Sequence, residues 1–118
     1  MIRNAKAKGA RLEREVKDRL KKAGCIVVRQ AASLFPDLIC ILPVEPGKEE
    51  LNKRLFFIEC KCRKYISSEE RKLLMQIELR FGGKSIIAYK HKGKMAFCGL
   101  NYNAFPSLKA LGIFATII

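Results

Sequence analysis

One short segment, residues 54–63 (RLFFIECKCR), constrains the fold more than any other part of the chain. Its aromatic and apolar residues predict a β-strand. Because side chains alternate between the faces of a strand, Glu59 and Lys61 share one face. The other face holds residues expected to join the core: Ile58, Cys60 and Cys62. Glu and Lys are rarely buried without a partner, so we expect the first face to be open enough to keep both charged.

The rest of the chain predicts an α/β fold in which this strand belongs to a mixed sheet. Apolar spacing and turn residues predict helices over residues 9–23 and after Ser67, and strands over residues 25–30, 37–42, 54–63, 85–91 and 95–100. Residues 31–36 are expected to form a loop, residues 43–52 a hairpin connection, and residues 101–118 an apolar, irregular tail. The expected architecture is one domain over residues 1–118, a central sheet of about five strands flanked by helices.

Both helices carry recognisable signals. In the first, the apolar stripe ends at Gly24 and consists of Leu12, Val16, Leu20 and Ala23. In the second, Ser67 and Glu70 form a capping-box pattern. Its apolar face is expected to comprise Leu73, Leu74, Ile77 and Phe81, and Gly82-Gly83 is expected to end it.

The charge of the chain indicates a polyanionic partner. Lys and Arg number 24 against 11 Asp and Glu, for a net charge of +13. Nucleic acid is the first candidate, an anionic membrane surface the second, and a basic protein with no such partner the alternative. No apolar run approaches the roughly 20 residues of a membrane span, and the basic N-terminus lacks the apolar core of a signal peptide, so we expect a cytoplasmic protein.

The five cysteines are expected to be reduced thiols packed in the core. Their number is odd, and a chain of 118 residues is long enough to fold without disulfide staples. Zinc binding is disfavoured because Cys60 and Cys62 are too closely spaced and His91 is the only histidine.

Asp37 adds a second carboxylate to the Glu-x-Lys pattern and thereby indicates a metal site. Alone, Glu59 and Lys61 could be an ordinary solvated ion pair, and Asp37 an ordinary residue after Pro36. Pairing of the second and third strands, however, can bring Asp37 beside Glu59. Two carboxylates suit a hard divalent cation, which assists phosphodiester hydrolysis. Lys61 can orient the attacking water or stabilise the charged transition state.

The first helix offers a third carboxylate. At about 100° per residue, Glu13 borders the apolar stripe and can lean toward the sheet, whereas Arg14 falls on the far side. The alternatives are an ion pair between Glu13 and Lys17, and a solvated Arg14.

Taken together, these motifs resemble a known family. The resemblance covers about residues 6 to 100 and is carried by Lys8-Gly9, Glu13-Arg14-Glu15, Val27-Val28-Arg29, Ser33, Pro36-Asp37, Ile58-Glu59-Cys60-Lys61, Phe81-Gly82-Gly83 and Ile86-Ile87-Ala88-Tyr89-Lys90. This ordered set looks like the archaeal Holliday-junction resolvases of the PD-(D/E)xK nuclease superfamily. The resemblance implies a restriction-endonuclease-like core. It also implies a homodimer that binds four-way DNA junctions and nicks two opposing strands with Mg²⁺ or Mn²⁺.

The resemblance also implies roles for individual residues. The implied metal ligands are Glu13, Asp37, Glu59 and the backbone carbonyl of Cys60, and the implied catalytic set adds Lys61, Ser33 and Arg14. The implied DNA contacts are Lys6, Lys8, Arg11, Arg14, Arg29, Arg63 and Lys64. Two features depart from the family pattern: a longer connection between Asp37 and Glu59, and the tail after Leu100.

Two other functions remain open at this point. The chain could be another PD-(D/E)xK endonuclease of the repair or restriction-like kind, or a catalytically silent DNA-binding module. The clustered acids argue against the module, because without a metal they would repel phosphates. The apolar tail could form the dimer interface or fold over its own core; its large residues are Phe105, Leu108, Leu111, Ile113, Phe114, Ile117 and Ile118.

Overall fold

The computed structural model describes residues 2–30, 36–62, 65–100 and 104–105. Its helices are α1 (Ile2–Lys22) and α2 (Ser68–Phe81), with a 3-10 turn at Leu51–Lys53. Its strands are β1 (Ile26–Arg29), β2 (Leu38–Ile41), β3 (Leu55–Cys60), β4 (Lys84–His91), β5 (Lys94–Cys98) and β6 (Ala104–Phe105). The predicted order of elements is confirmed, although α1 begins seven residues earlier than the apolar spacing indicated.

The strands form one mixed sheet in the order β1-β2-β3-β4-β5-β6. Every neighbouring pair is antiparallel except β3 and β4, which are parallel. A parallel pair needs a crossover connection, and α2 lies in that connection. The predicted α/β fold class is thus confirmed. The expectation of a wholly irregular tail is wrong for Ala104–Phe105, which pairs with β5 at the sheet edge.

The main core lies between α1 and the sheet. Leu12, Val16 and Leu20 are almost fully buried, as their spacing predicted. They belong to one apolar cluster with sheet residues that include Leu38, Cys40, Ile58, Ile86 and Ala88. This packing fixes the face of α1 that turns toward the sheet, and with it the position of Glu13 beside that face.

Helix α2 has the predicted ends. Ser67 and Glu70 form both hydrogen bonds of a capping box, and Gly82 ends the helix with a left-handed φ of 79°. The predicted apolar face is only partly correct, because Leu74 is buried but Leu73 and Phe81 are 47% and 60% exposed. Within the described residues α2 contacts the sheet mainly at β4, so only a narrow stripe of it is covered.

The long connection between β2 and β3 is held at its base by Arg54. The Arg54 guanidinium donates to the Leu42 carbonyl at 3.0 Å and to the Glu49 carbonyl at 3.2 Å. The Leu42 amide donates to the Arg54 carbonyl at 2.9 Å. These three hydrogen bonds agree with the predicted hairpin connection and keep β2 in register with β3.

All five cysteines are reduced and none forms a disulfide bond, as expected. Cys25, Cys40 and Cys98 are buried and Cys60 is half-buried, but Cys62 is exposed. The core prediction is wrong for Cys62 because β3 ends at Cys60, so strand alternation no longer applies beyond it. None of the helices in the described part of the chain is long and apolar enough to cross a membrane.

Candidate active site

The register of β2 on β3 brings Asp37 and Glu59 together. Leu38 pairs with Ile58, so the residues next to them, Asp37 and Glu59, face each other at the end of the hairpin. The Asp37 amide donates to the Glu59 carboxylate at 3.1 Å, and the Cys60 amide donates to the Asp37 carboxylate at 2.8 Å. The structure therefore places these two carboxylates as the sequence predicted.

Glu59 lies in a more enclosed position than expected. It is only 4% exposed, because β3 is a central strand flanked by β2 and β4. Burial, followed by the negative charge of Asp37, raises the pKa of Glu59 to about 8. The expectation of an open, solvated face is thus wrong for this residue. Two carboxylates held this close without a cation favour the protonated form of one of them.

The negative potential extends to Cys60. Burial raises the pKa of the Cys60 thiol, and the charges of Asp37, Glu13 and Glu59 raise it further. The thiol therefore stays protonated and is a poor metal ligand. The same three carboxylates create a negative region around the end of β3, which is a suitable environment for a cation.

Lys61 follows the last residue of β3 and remains attached to the sheet, since its amide donates to the Ala88 carbonyl at 2.9 Å. Its ammonium lies 2.5 Å from the Glu70 carboxylate and 3.5 Å from the Glu59 carboxylate. Burial lowers the pKa of Lys61, but the two carboxylates outweigh this and raise it above the ordinary value. Lys61 is therefore a fixed positive charge beside the acidic pair.

Glu13 leans toward the sheet, as its place beside the apolar stripe predicted, and its partner there is Arg29 of β1. Its carboxylate accepts a hydrogen bond from Nε of Arg29 on β1 at 2.5 Å, and no ion pair with Lys17 forms within the described residues. Among these residues no three His, Cys, Asp or Glu side chains lie close enough to hold one metal ion. The structure thus brings Asp37 and Glu59 together and leaves Glu13 paired with Arg29.

The implied DNA contacts are described only in part. Arg14 and Arg29 are exposed and line an open pocket on α1 together with Ala10, Glu13 and Lys17, and Arg11 is exposed nearby on the same helix. The Lys6 and Lys8 side chains, and all of Ser33, Arg63 and Lys64, lie outside the described residues. The described cations therefore form a basic surface on the α1–β1 side of the acidic pair.

Sequence reasoning missed the contact between Glu70 and Lys61. It assigned Glu70 to the capping box, which the structure confirms. The pattern Ser-x-x-Glu signals the cap but carries no information about a partner elsewhere in the fold. Only the docking of α2 beside the end of β3 reveals that the same carboxylate also binds Lys61.

The residues present fit a divalent cation. Mg²⁺ commonly binds through one or two carboxylates and keeps several waters, so Asp37 and Glu59 are sufficient protein ligands. The raised pKa of Glu59 is the observation that supports the fit, because a cation there would relieve the repulsion between the two carboxylates.

Comparison with known proteins assigns the family. The model of the family "Archaeal holliday junction resolvase (hjc)" matches residues 4–105. The chain is 32% identical over 124 aligned residues to the crossover junction endodeoxyribonuclease Hjc of Methanocaldococcus jannaschii, covering 95% of this chain and 86% of that protein. The structure of Archaeoglobus fulgidus Hjc, a Holliday junction resolvase, aligns with a TM-score of 0.59 and 27% identity, covering 80% of this chain and 74% of that one. The acidic pair at the end of β3 therefore lies in a chain that belongs to the archaeal Holliday junction resolvase family.

Proposed function

We propose that this chain is a metal-dependent endonuclease that resolves four-way DNA junctions by paired nicks in opposing strands. The observation that carries the proposal is the contact between Asp37 and Glu59, with Lys61 beside them, in a member of this family. The silent DNA-binding module is disfavoured, because a buried acidic pair next to phosphates has no use without a cation.

The chain's own residues supply binding, orientation and charge. Asp37 and Glu59, with the backbone carbonyl of Cys60, would hold the ion, and Mg²⁺, or Mn²⁺ in its place, would polarise the phosphate and activate water. Lys61 presents its ammonium to the attacking water or to the charge that develops on the phosphate. Glu13 approaches the same region from α1, and in this proposal it contacts the ion through water.

Basic residues hold the DNA over this site. The net charge of +13 favours binding to phosphates, and the exposed Arg11, Arg14 and Arg29 provide a surface beside the acids. Lys6, Lys8, Arg63 and Lys64 remain predicted phosphate contacts, and Ser33 remains a predicted catalytic residue. Phosphate contacts position a duplex without reading its sequence, so we expect recognition of junction shape rather than of bases.

We also propose a C2 homodimer, because paired nicks need two active sites at a fixed separation. Large apolar side chains are exposed on α2: Leu73, Met75, Leu79 and Phe81. Exposed apolar patches mark interaction surfaces, so α2 is a second candidate interface beside the tail of residues 106–118, which lies outside the described residues. A single nuclease domain over residues 1–118 and a cytoplasmic location also remain predictions.

Substrate comparison tests the proposed activity. Cleavage of a four-way junction, a flap and a linear duplex is measured with Mg²⁺ and with EDTA. We expect paired nicks in the junction, much slower cutting of the other two substrates, and no cutting in EDTA. Faster cutting of the flap or duplex would favour another PD-(D/E)xK nuclease, and metal-independent cutting would contradict the assigned site.

Light scattering tests the dimer. At micromolar concentration we expect twice the chain mass of 13.4 kDa. Leu79→Glu alters an 85% exposed residue of α2, and Phe114→Asp alters the tail. Loss of the dimer with the fold retained identifies which of the two surfaces forms the interface. A monomer both free and on the junction would refute the paired-cut proposal.

A further inference from the structure

The carboxylate of Glu70 connects a helix cap to the lysine beside the acidic pair. One of its oxygens, Oε1, accepts the Ser67 amide at 3.1 Å, and the Glu70 amide donates to the Ser67 hydroxyl at 3.0 Å. Its other oxygen, Oε2, accepts Nζ of Lys61 at 2.5 Å. Glu70 therefore belongs both to the capping box and to the environment of Lys61.

The capping box makes Glu70 a rigid partner. A lysine side chain has a flexible stem of four carbons, and it loses considerable conformational entropy when it is held in one position. Glu70 lies in the first turn of α2, where the Ser67 amide already holds its carboxylate while the Glu70 amide donates to the Ser67 hydroxyl. Its orientation is therefore determined before Lys61 binds, so the ammonium is held by a preformed acceptor.

The two distances from Lys61 show which carboxylate holds it. Its ammonium is 2.5 Å from Glu70 but 3.5 Å from Glu59. An ammonium has three N–H donors, so the bond to Glu70 leaves the others for a water or a phosphate oxygen. Without Glu70, Lys61 would move onto Glu59 and compete with a cation for that carboxylate.

We infer that Glu70 is a positioning residue, which aims the Lys61 ammonium and keeps it off Glu59. This inference rests on the proposed nuclease function and on the proposed role of Lys61. It adds a residue of α2 to those that act on the site, although Glu70 itself touches neither substrate nor ion. Removal of its charge should slow cleavage and raise the Mg²⁺ concentration that half-maximal cleavage requires.

Three variants of the full chain separate positioning from capping. Glu70→Gln keeps a side chain that is accepted at this position of a capping box but removes the charge that holds Lys61. Ser67→Ala weakens the cap and leaves the carboxylate of Glu70 in place. Lys61→Ala identifies the Lys61 ammonium signal in the ¹⁵N NMR spectrum of the metal-free protein by its disappearance.

The expected results differ between the variants. Glu70→Gln should lower the single-turnover cleavage rate by about 10- to 100-fold, as misplacement of a catalytic group does, with junction affinity unchanged. It should also shift or broaden the Lys61 ammonium signal, because the ammonium exchanges faster with water. Ser67→Ala should lower the melting temperature but retain both the ammonium signal and most of the cleavage rate.

The failures are distinguishable. If Lys61→Ala cuts junctions normally, the proposed role of Lys61 is wrong and the inference fails with it. If Lys61→Ala is inactive but Glu70→Gln cuts like the wild type, only the inference is overturned. An equal loss of activity in Ser67→Ala and Glu70→Gln, with the ammonium signal unchanged in both, would also overturn it, because Glu70 would then act only as a cap.

Discussion

Glu13 and Glu59 are the same residue type beside the same site, yet they differ in burial and in their charged partners. The Glu13 side chain is 17% exposed and binds Arg29, whose own side chain is 56% exposed. The Glu59 side chain is 6% exposed and faces Asp37, with Lys61 3.5 Å away. Glu13 therefore has a close cationic partner from the protein, whereas the acidic pair of Glu59 and Asp37 still needs positive charge.

The difference indicates that the two regions have different roles, ion binding in one and DNA alignment in the other. A buried, repulsive pair has much to gain from a divalent cation, whereas a carboxylate already bound to arginine must first release that partner. We therefore expect the ion to depend mainly on Asp37 and Glu59. The region of Glu13, Arg14 and Arg29 should mainly align the DNA.

The largest expected effect is at the acidic pair. Asp37→Asn and Glu59→Gln, together with Lys61→Ala, should each lower junction cleavage by on the order of 10²–10³-fold or more, because each removes charge from the reacting centre. Junction affinity should change only a few-fold, since it rests on Lys and Arg contacts. Cleavage assays and gel-shift titrations measure the two quantities. Asp18→Asn, which alters an exposed acid of α1, is the control and should cut normally. Normal turnover by Lys61→Ala would contradict the assigned site.

The second effect is on stability without metal. The pKa of Glu59 is raised from 4.5 to about 8 by burial and by Asp37, so folding favours its protonated form. That contribution is complete below about pH 4.5 and is lost as the pH rises toward 8. In EDTA, Glu59→Gln should therefore become more stable relative to the wild type over this interval, by on the order of 4 kcal/mol between pH 4.5 and pH 8.

Denaturant unfolding across this pH range measures the gap between Glu59→Gln and the wild type. Added Mg²⁺ should narrow the gap, because the ion stabilises only the charged carboxylate. Glu50→Gln alters an exposed glutamate of the β2–β3 connection and should show no pH-dependent gap. A gap that is constant with pH would mean that the pKa of Glu59 is the same in the folded and the unfolded protein.

These two predictions depend on features that the sequence revealed to different degrees. Strand alternation and the hairpin were enough to place Asp37 beside Glu59, because the register of an antiparallel pair determines which residues face each other. The burial of Glu59 was not predictable, since it depends on β4 pairing with the other side of β3. A local pattern does not specify how many neighbours its strand will have.

The contacts of the two helices were harder to predict. Helical spacing placed Glu13 at the edge of the buried stripe, but its partner, Arg29, is determined by how α1 crosses β1. Similarly, the Ser67 cap was readable, whereas the bond from Glu70 to Lys61 depends on the path between β3 and α2. The exposure of Phe81 has the same origin, because spacing shows which residues share a face but not how much of that face is covered.

A third, smaller effect directly tests whether Glu13 and Glu59 have these different roles. Glu13→Gln should lower cleavage by roughly 10-fold, as the loss of an outer contact to a metal site does, and therefore less than Glu59→Gln. A titration of cleavage rate with Mg²⁺ compares the two variants at saturating ion. Glu15→Gln, which alters the neighbouring partner of Lys90, is the control. A loss equal to that of Glu59→Gln would show that Glu13 is a direct ligand and that Arg29 releases it when the ion binds.

The smallest effect concerns the two arginines beside Glu13, and it appears in the salt dependence of binding. If about six phosphates are contacted, the logarithm of the junction association constant should fall with a slope near −5 against the logarithm of salt concentration, and each lost contact should reduce the slope by about 0.9. Arg14→Gln should show this full change. Arg29→Gln should show a smaller change in slope, because Glu13 already offsets part of the charge that Arg29 offers to a phosphate.

The double variant Glu13→Gln, Arg29→Gln should then bind the junction more tightly than Arg29→Gln alone, since it no longer leaves an unpaired carboxylate beside the DNA. Fluorescence anisotropy over a series of salt concentrations measures all four proteins, including the wild type. Equal slopes for Arg14→Gln and Arg29→Gln would show that Arg29 leaves Glu13 when DNA binds, and the Glu13 carboxylate would then, like the pair of Asp37 and Glu59, still need positive charge.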